Sequence, residues 1–574
     1  MKEPLTVADF FCGAGGFSEG FRQAGFKIVF ALDNWDPARQ THKLNHPDCK
    51  HPGLDCFFET NGDILNIHPD RINEIVDDTD VIIGSPPCFP FSSSNRAGKG
   101  DKSLGIELIK KYLQIIAVKK HMPHSRLKYW LMENVPNSRK HINDEYTFRN
   151  LGLTNDILRK LKINKDQNDI ALKIDKSEEC LYNSVLYGVP QRRERFVCGE
   201  YQKPEKRTIN PKEWITLGDV IVALKNKSTI DDPNYHLSID RKELTDHFYT
   251  TTIPRFEWEE AKIKKQQARF YGKMSFPEDL SVPSRTVMAT RSVLSRESMI
   301  LPNGAIGKFR APTVREVACL MSFPITYLFQ GMNEATKYRL VGNAVCPKLS
   351  YAFAEAILKS RKIDPKYIPD PKSDRKKLIL DLRESPPPKK KPRDKHPSAN
   401  FAEIVPDLKY RNFRVEIDNN FPRENGNKVR WISSLHHATG AGSMKKAFVP
   451  SKTLKKIFNQ YHDKKRIQDF ISAVNKTFQG RIPNAQKFQQ QHSLANPDYR
   501  FFTPRQSLRA TKKLIDKFFP ENQFNSIHLD NFQGKKAIIK FDNGELPENA
   551  IPIRMVAGLL ACNHIVDMTK NKNS

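Results

Sequence analysis

Short apolar runs rich in β-branched and aromatic residues punctuate the first 200 positions: Leu5–Phe11, Lys27–Asp33, Val81–Ser85, Tyr129–Val135 and Arg195–Glu200. Several end in Gly, Pro or a charged residue, the punctuation of buried strands. Between them lie polar stretches with apolar residues every three or four positions, as in Leu104–Val118, the period of a helix packed on one face. The alternation predicts an α/β fold, a doubly wound, mostly parallel sheet with helices on both faces. In such sheets ligands collect beyond the carboxyl ends of the strands. The residues that follow each run are therefore the ones to read for chemistry.

The rhythm makes residues 1–200 one core. It breaks over 201–283, which are rich in Lys, Pro and aromatics without a clear period and read as a separate small domain. It resumes over 284–358, the expected remainder of the core. A Pro-rich basic linker occupies 359–399, with ESPPPKKKPRDKHPS at Glu384–Ser398, extended rather than folded. Residues 400–574 regain aromatics and aliphatics and are expected to fold as an additional α+β domain. Within it Lys535–Phe541, turning at Asp542-Asn543-Gly544, reads as a hairpin.

Charge adds a partner to this picture. The 574 residues carry 94 Lys plus Arg against 65 Asp plus Glu, a net +29. Residues 371–574 hold 39 basic and 19 acidic side chains, so +20 of the +29 lies in the last third. Such a piece prefers a polyanion, nucleic acid before an anionic membrane surface; a plain solvated surface is the alternative. No apolar run reaches the ~20 residues of a membrane-spanning helix, so no membrane partner is expected. The N-terminal MKEPLTVADFF lacks the order of a signal peptide. Nine dispersed cysteines fit a reducing compartment rather than a disulfide framework. A cytoplasmic, nucleoid-associated protein is the expectation. The linker's PPPKKKPR also resembles a nuclear-import signal, which keeps that alternative open.

Candidate chemistry follows the strands. After the first comes Asp9-Phe10-Phe11-Cys12-Gly13-Ala14-Gly15-Gly16-Phe17, a glycine turn opening a helix, where backbone approaches a nucleotide-like ligand closely and N–H groups are free. After the second, Asp33-Asn34-Trp35-Asp36 offers carboxylates for a ribose and an aromatic face for a purine. A third element, Gly62-Asp63-Ile64, places an acid where it could accept from an adenine amine. After a fourth strand, Gly84-Ser85-Pro86-Pro87-Cys88 holds a cysteine at a cleft, where a nucleophilic thiolate would sit and an inert packing Cys is the alternative. After a fifth, Glu133-Asn134-Val135-Pro136 sets a carboxyl whose burial beside a base would make it a proton donor. In Gln191-Arg192-Arg193-Glu194-Arg195 the alternate residues Gln191, Arg193 and Arg195 share one strand face, a paired cation surface for a phosphate or oxyanion.

DFFCGAGG, GDI, GSPPC followed by FS, ENVP, QRRER, PSRTV, TVREVACLMSFP and VGNAVCP, in this order over about residues 4–358, resemble the cytosine carbon-5 DNA methyltransferase family. The resemblance implies a Rossmann-like fold dependent on S-adenosyl-L-methionine, with Cys88 adding to carbon 6 of a flipped cytosine so that carbon 5 accepts the methyl group. It implies that Glu133 contacts the ring nitrogen and exocyclic amine, that Asn134 orders the loop, and that Arg193 and Arg195 hold the base's carbonyl oxygen and the neighbouring phosphate. It places the cofactor against Phe11, Gly13, Gly16, Trp35, Asp63, Ile64, Pro87, Ile106, Asn343 and Val345. No metal is implied. Two positions depart from the family. Phe89 stands where Gln usually follows the Cys, and Asn34 where the ribose-binding acid usually precedes the Trp-like position; Asp33 or Asp36 is left to substitute.

The resemblance makes residues 201–283 the target-recognition domain, with Arg255, Arg269 and Tyr271 as candidate DNA contacts. The expected activity is that of a sequence-specific DNA (cytosine-5-)-methyltransferase, the modification half of a restriction-modification system, acting as a monomer on double-stranded DNA beside a cognate restriction endonuclease. The alternatives are a methyltransferase–endonuclease fusion and a DNA-binding protein with weak methyltransferase activity. Residues 400–574 match no family. Asp418, Glu424 and Lys428, or His436-His437, are thin grounds for a nuclease. The basic stretches Lys445–Lys456 and Arg505–Lys517 favour an accessory DNA-binding or protein-contact role. His42, His46, Cys49, His51 and Cys56 cluster in sequence; a zinc site is the alternative there, but their spacings fit no standard zinc pattern and read as an ordinary loop after the second strand.

Overall fold

The computed structural model describes residues 3–54, 61–91, 102–225, 228–247, 252–266, 274–290, 292–304, 307–365, 400–410, 413–419, 429–440, 443–458, 463–520, 538–541, 544–547 and 551–570. The linker Glu384–Ser398, Cys56, Arg269, Tyr271, Glu424 and Lys428 lie outside these residues. The chain divides into two compact units, residues 1–253 with 276–387, and 254–275 with 388–574.

The first unit is built on a six-stranded sheet. Its strands are β1 (Thr6–Phe10), β2 (Lys27–Leu32), β3 (Val81–Gly84), β4 (Tyr129–Asn134), β5 (Leu181–Asn183) and β6 (Glu194–Glu200), in the order β2-β1-β3-β4-β6-β5. The pairs among β1 to β4 are parallel; β6 runs antiparallel to β4, and β5 to β6. The period-two alternation of each strand sends neighbours to opposite faces. Val7, Ile83, Leu131 and Val197 pack with Phe17, Phe21 and Phe353 of α1 (Gly16–Gln23) and α6 (Pro347–Ser360). Ala8, Phe10, Ile82, Trp130 and Phe196 pack with Tyr112 and Ile116 of α3 (Ser103–His121). From β1 the chain goes first to β2 on one side and then to β3 on the other. This reversal opens a crevice at the carboxyl ends of β1 and β3.

Two expectations need correction. Gly62-Asp63-Ile64 is not a strand: the Asp63 carboxylate accepts from the Leu65 N–H at 3.0 Å and caps a 3-10 turn, Ile64–Asn66. A short acidic side chain that bonds its own backbone competes with a sheet ladder, so Val81–Gly84 is the third strand along the chain. The edge strand β5, three residues long, left no periodic signal. The helices α5 (Glu334–Asn343) and α6 close the core from the far end of the sequence. A Cβ on Gly20 of α1 would stand 2.4 Å from the Pro347 oxygen and the Tyr351 nitrogen of α6, so glycine is what lets the two helices pack this closely.

The second unit holds a four-stranded antiparallel sheet, β7 (Ala402–Tyr410), β8 (Phe413–Asp418), β9 (Ile432–Gly440) and β10 (Ser443–Ala447). Val415, Ile417 and Leu435 pack with the helices α7 (Lys464–Phe478), α8 (Pro504–Phe518) and α9 (Ile553–Thr569), whose Phe470, Ile515 and Leu560 are buried. Ile538–Phe541 and Gly544–Pro547 pair antiparallel as the expected hairpin. This unit also contains α4 (Arg255–Gln266), which brings Glu259 to 3.6 Å from Arg509 of α8. Residues 201–283 are therefore not one body: 201–253 and 276–283 stay with the sheet of the first unit, and 254–275 associate with the C-terminal residues.

Candidate active site

The catalytic candidates meet at the ends of β3, β4 and β6. Cys88 sits in the turn leaving β3. Asn134, the last residue of β4 and fully buried, donates from Nδ2 to the Pro86 carbonyl at 3.0 Å, and its Oδ1 accepts from the Val135 N–H at 2.8 Å. One amide thus ties the Pro86-Pro87-Cys88 turn to the strand beside it. Glu133 opposes Val197 in the β4–β6 register, and Arg195 of β6 reaches it with Nε to Oε1 at 2.8 Å. Glu133 is 6 % exposed. Burial pushes its carboxyl up, and Arg195 and then Arg193 pull it back. Burial likewise pushes the Cys88 thiol up; Arg195 and Arg193 oppose this, and Glu133 adds to it. The side chain beside the cysteine, Phe89, is 72 % exposed.

Gln191, Arg193 and Arg195 do share one face: Gln191 and Arg193 are buried while Arg192 and Glu194 are exposed. Their tasks differ from the expected pair of anion-holding cations. Arg193 donates from Nη1 to the Val287 carbonyl at 3.1 Å, and from Nη2 to those of Gly342 at 3.0 Å and Ala344 at 3.2 Å. Its guanidinium is a brace between β6 and the C-terminal end of α5. Gln191 accepts from the Val287 N–H at 2.9 Å and donates to the Leu320 carbonyl at 3.2 Å. Arg195 is the one of the three that bonds Glu133 directly, while the Arg193 charge acts on both Glu133 and Cys88.

Hydrogen bonds and close approaches join several of the cofactor candidates around the ends of β1 and β3. Phe11 takes φ 55° and its carbonyl accepts from the Ser85 hydroxyl at 3.2 Å, which joins the first turn to the cysteine turn. Asp33 accepts from the Gly13 N–H at 2.9 Å and from the Trp35 N–H at 2.8 Å. It holds the two loops together through one carboxylate, which burial pushes up. Asp36 is exposed and bonds Gln40 at 2.6 Å. Trp35 carries the Arg339 guanidinium over its ring at 4.6 Å. Asp63 caps its turn, and Ile64 is buried beneath it. Pro87 is exposed, Ile106 packs partly buried in α3, and Asn343 is exposed at the end of α5. Val345 reaches the glycine turn: a Cβ on Gly16 would stand 2.1 Å from the Val345 oxygen. Tyr327 seals the same junction, donating to the Ala14 carbonyl at 2.6 Å.

Arg39 escaped notice in the sequence. It donates from Nη1 to the carbonyls of Asp33 at 3.0 Å and Asn61 at 3.3 Å, docking the Gly62-Asp63 turn beside the second strand. Its i,i+3 pair with Asp36 at 3.3 Å is an ordinary helix-surface pattern and does not mark Arg39 of α2 (Asp36–Asn45) as buried; the two carbonyls that hold it are 6 and 22 positions away.

In the C-terminal unit the nuclease candidates have structural partners. Asp418 is 2 % exposed and receives the Lys446 ammonium at 2.8 Å, and the His437 ring stacks on Phe413 at 4.4 Å.

The profile of the family described as C-5 cytosine-specific DNA methylase matches residues 5–359. Type II methyltransferase M.AplI of Arthrospira platensis is 30 % identical over 371 residues, covering 62 % of this chain and 86 % of its own. Type II methyltransferase M.NgoPII of Neisseria gonorrhoeae is 27 % identical over 370 residues, covering 62 % of this chain and 96 % of its own. A crystal structure titled as a DNA modification methyltransferase encoded within an Escherichia coli prophage shares 18 % identity at a TM-score of 0.39, over 62 % of this chain and 99 % of its own. With the family profile spanning more than half of its length, this chain belongs to the C-5 cytosine-specific DNA methyltransferases.

Proposed function

We propose that the protein is a sequence-specific DNA (cytosine-5-)-methyltransferase on a doubly wound, Rossmann-like core carrying an additional C-terminal α+β domain. It acts as the modification half of a restriction-modification system, as a monomer on double-stranded DNA in the cytoplasm, beside a cognate endonuclease. The observation that carries this reading is the convergence of Cys88 with the buried Glu133–Arg195 pair, tied by Asn134 to the crevice at β1 and β3.

Cytosine's carbon 5 is a poor nucleophile until carbon 6 is saturated. The Cys88 sulfur forms a bond to carbon 6 of a base turned out of the duplex, losing its proton to solvent or to the base. Glu133, its carboxyl raised by burial, is suited to carry a proton against the ring nitrogen while that bond forms. Carbon 5 then accepts the methyl group, its hydrogen leaves as a proton, and the carbon–sulfur bond breaks to return the thiolate. Arg195 holds charge of the opposite sign beside both the thiolate and the carboxylate. Arg193 acts through structure, fixing the strand that presents Arg195.

S-adenosyl-L-methionine supplies an electrophilic methyl group when bound. The glycine turn at Phe11–Gly16, the Asp33–Trp35 loop, the Asp63–Ile64 turn, Pro87, Ile106 and the Asn343–Val345 segment border one crevice and suit a nucleoside with a charged tail. Asp33 has both carboxylate oxygens engaged by backbone, so it shapes the ribose site as well as offering it an acceptor.

Bisulfite sequencing of plasmid from cells expressing the chain tests substrate, base and recognition site together. Methylation at one recurring sequence is expected, and it is lost in Cys88→Ala. Methyl transfer from labelled cofactor to RNA and not to duplex DNA would overturn the substrate assignment.

A further inference from the structure

Behind the glycine turn lies a set of side chains that the methyl-transfer reading does not use. His42 of α2, Cys49 and His51 are 0 %, 2 % and 0 % exposed. One ligand-capable atom from each, His42 Nδ1, Cys49 Sγ and His51 Nε2, all lie within 4.8 Å of one another. His42 Nδ1 and His51 Nε2 are 2.8 Å apart.

The outer nitrogens of both rings are committed. His51 Nδ1 is 2.8 Å from the Cys49 carbonyl, which can only accept, so Nδ1 carries the hydrogen and Nε2 presents a lone pair. His42 Nε2 is 3.0 Å from the Ser18 hydroxyl, and that hydroxyl lies 2.7 Å from the Asp9 carboxylate. With Ser18 donating to Asp9, His42 Nε2 must donate to Ser18, and its Nδ1 also presents a lone pair. Two lone pairs then face one another in a buried pocket beside a thiol sulfur. Metal-bound imidazoles show this arrangement, in which the outer N–H is tied to a carbonyl or, by relay, to a carboxylate. Asp9 at the end of this relay is 0 % exposed, its Oδ1 has no hydrogen-bond partner, and burial pushes its carboxyl up to about 8, so it ionises within the chain only when a positive charge is bound nearby.

We propose that His42 Nδ1, Cys49 Sγ and His51 Nε2 form a binding site for a single divalent zinc-class metal ion that braces the cofactor turn. Two imidazoles and one thiolate are the donor set such borderline ions favour. The fourth tetrahedral position is left to water. Bonds of about 2.0 Å to nitrogen and about 2.3 Å to sulfur spread tetrahedral donor atoms to about 3.3–3.6 Å, so the two rings part by about half an ångström on binding. The net charge of the ion and thiolate is balanced through Ser18 by Asp9. The brace joins α2, the loop behind it and, through Ser18, the helix that the glycine turn opens. A Cβ on Gly15 would stand 3.1 Å from the His42 ring, so the site lies directly against that turn. The competing occupant is a proton: with Asp9 protonated, every donor in the chain reverses and the two rings share an ordinary hydrogen bond. Without the ion the Cys49 thiol donates to the Lys50 carbonyl at 3.6 Å, a weak sulfur bond that coordination would replace.

The test uses the full chain purified without a polyhistidine tag, and is independent of methyl transfer. Elemental analysis is expected to find about one zinc per chain. Replacement by cobalt(II) is expected to give a thiolate-to-cobalt absorption band, and removal by chelator to lower Tm, with zinc restoring it. Cys49→Ser is expected to abolish the band, whereas Cys180→Ser, at a buried cysteine elsewhere in the fold, leaves it intact. Protein that neither retains zinc nor yields the band on reconstitution overturns the proposal in favour of the proton chain. A band that survives Cys49→Ser places the ion elsewhere and overturns it as well. DNA methylation by a metal-free chain would leave the proposed function standing, and an inactive chain with the metal in place would leave this site standing.

Discussion

Cys88 is held as a thiol in the resting protein. Partial burial raises the thiol, and the neighbouring carboxylate of Glu133 offsets part of the help from Arg195 and Arg193. The sign of the consequence is clear: a raised thiol pKa means little thiolate at neutral pH and a steady gain as pH climbs through and beyond the ordinary thiol range. Alkylation of Cys88 by iodoacetamide is therefore expected to be slow at pH 7 and to accelerate up to pH 9 and above. Glu133→Gln removes one of the charges that hold the pKa up, so its alkylation at pH 7 is expected to be several-fold faster while methyl transfer falls by about 10²-fold or more. A variant alkylated no faster than wild type would show that Glu133 does not govern the thiol. Arg193 belongs to the same scale but to stability. Arg193→Met orphans three buried carbonyls, each costing about 1–3 kcal/mol. The expected result is a large fall in Tm, which a calorimetric scan measures; an unchanged Tm would mean the brace is dispensable.

At the scale of elements, the site is a property of junctions. The glycine turn before α1 and the segment after α5 are more than 300 positions apart in sequence, yet a Cβ on Gly16 would stand 2.1 Å from the Val345 oxygen. A methyl group cannot enter without moving one backbone away from the other. Gly16→Ala is expected to destabilise the fold by about 1–3 kcal/mol and to weaken cofactor binding at least tenfold, read by isothermal titration; cofactor affinity equal to wild type would separate this contact from the cleft. Strands and major helices were legible from period alone because alternation of two and spacing of three to four residues follow directly from backbone geometry. Leu104–Val118 lies inside α3, and all five apolar runs overlap their strands to within one residue at each end. The Gly62-Asp63-Ile64 turn was misread because three residues carry no period, and the capping bond of Asp63 decided its conformation.

The whole molecule carries the clearest surprise in α4. By sequence it lies between QRRER and PSRTV, where target recognition is expected, but in the structure it groups with residues 388–574. Trp258 and Ile263 of α4 face Pro406 of β7 and Leu508 of α8 across a cavity of about 350 Å³. Removal of residues 388–574 is expected to strip α4 of these neighbours. It should raise the KM for duplex DNA by tenfold or more with little change in cofactor affinity; equal loss of both would instead indicate collapse of the core. No described helix is long and apolar enough to cross a membrane.

Taken alone, the sequence determined the α/β alternation, the order of the strands along the chain, the motifs at their carboxyl ends and the basic character of the last third. Each of these is a local pattern or a sum, and local backbone geometry and composition suffice for them. Tertiary structure decided which of those residues share a site and what each does there. It spent the two terminal nitrogens of Arg193 on backbone carbonyls. It turned Asp33 inward to hold two loops, buried Arg39, brought His42, Cys49 and His51 together, and sent α4 to the second unit. The physical reason is the same in every case. Whether a polar side chain is free for chemistry depends on which buried backbone groups need a partner, and those partners are set by long-range packing that no local period encodes.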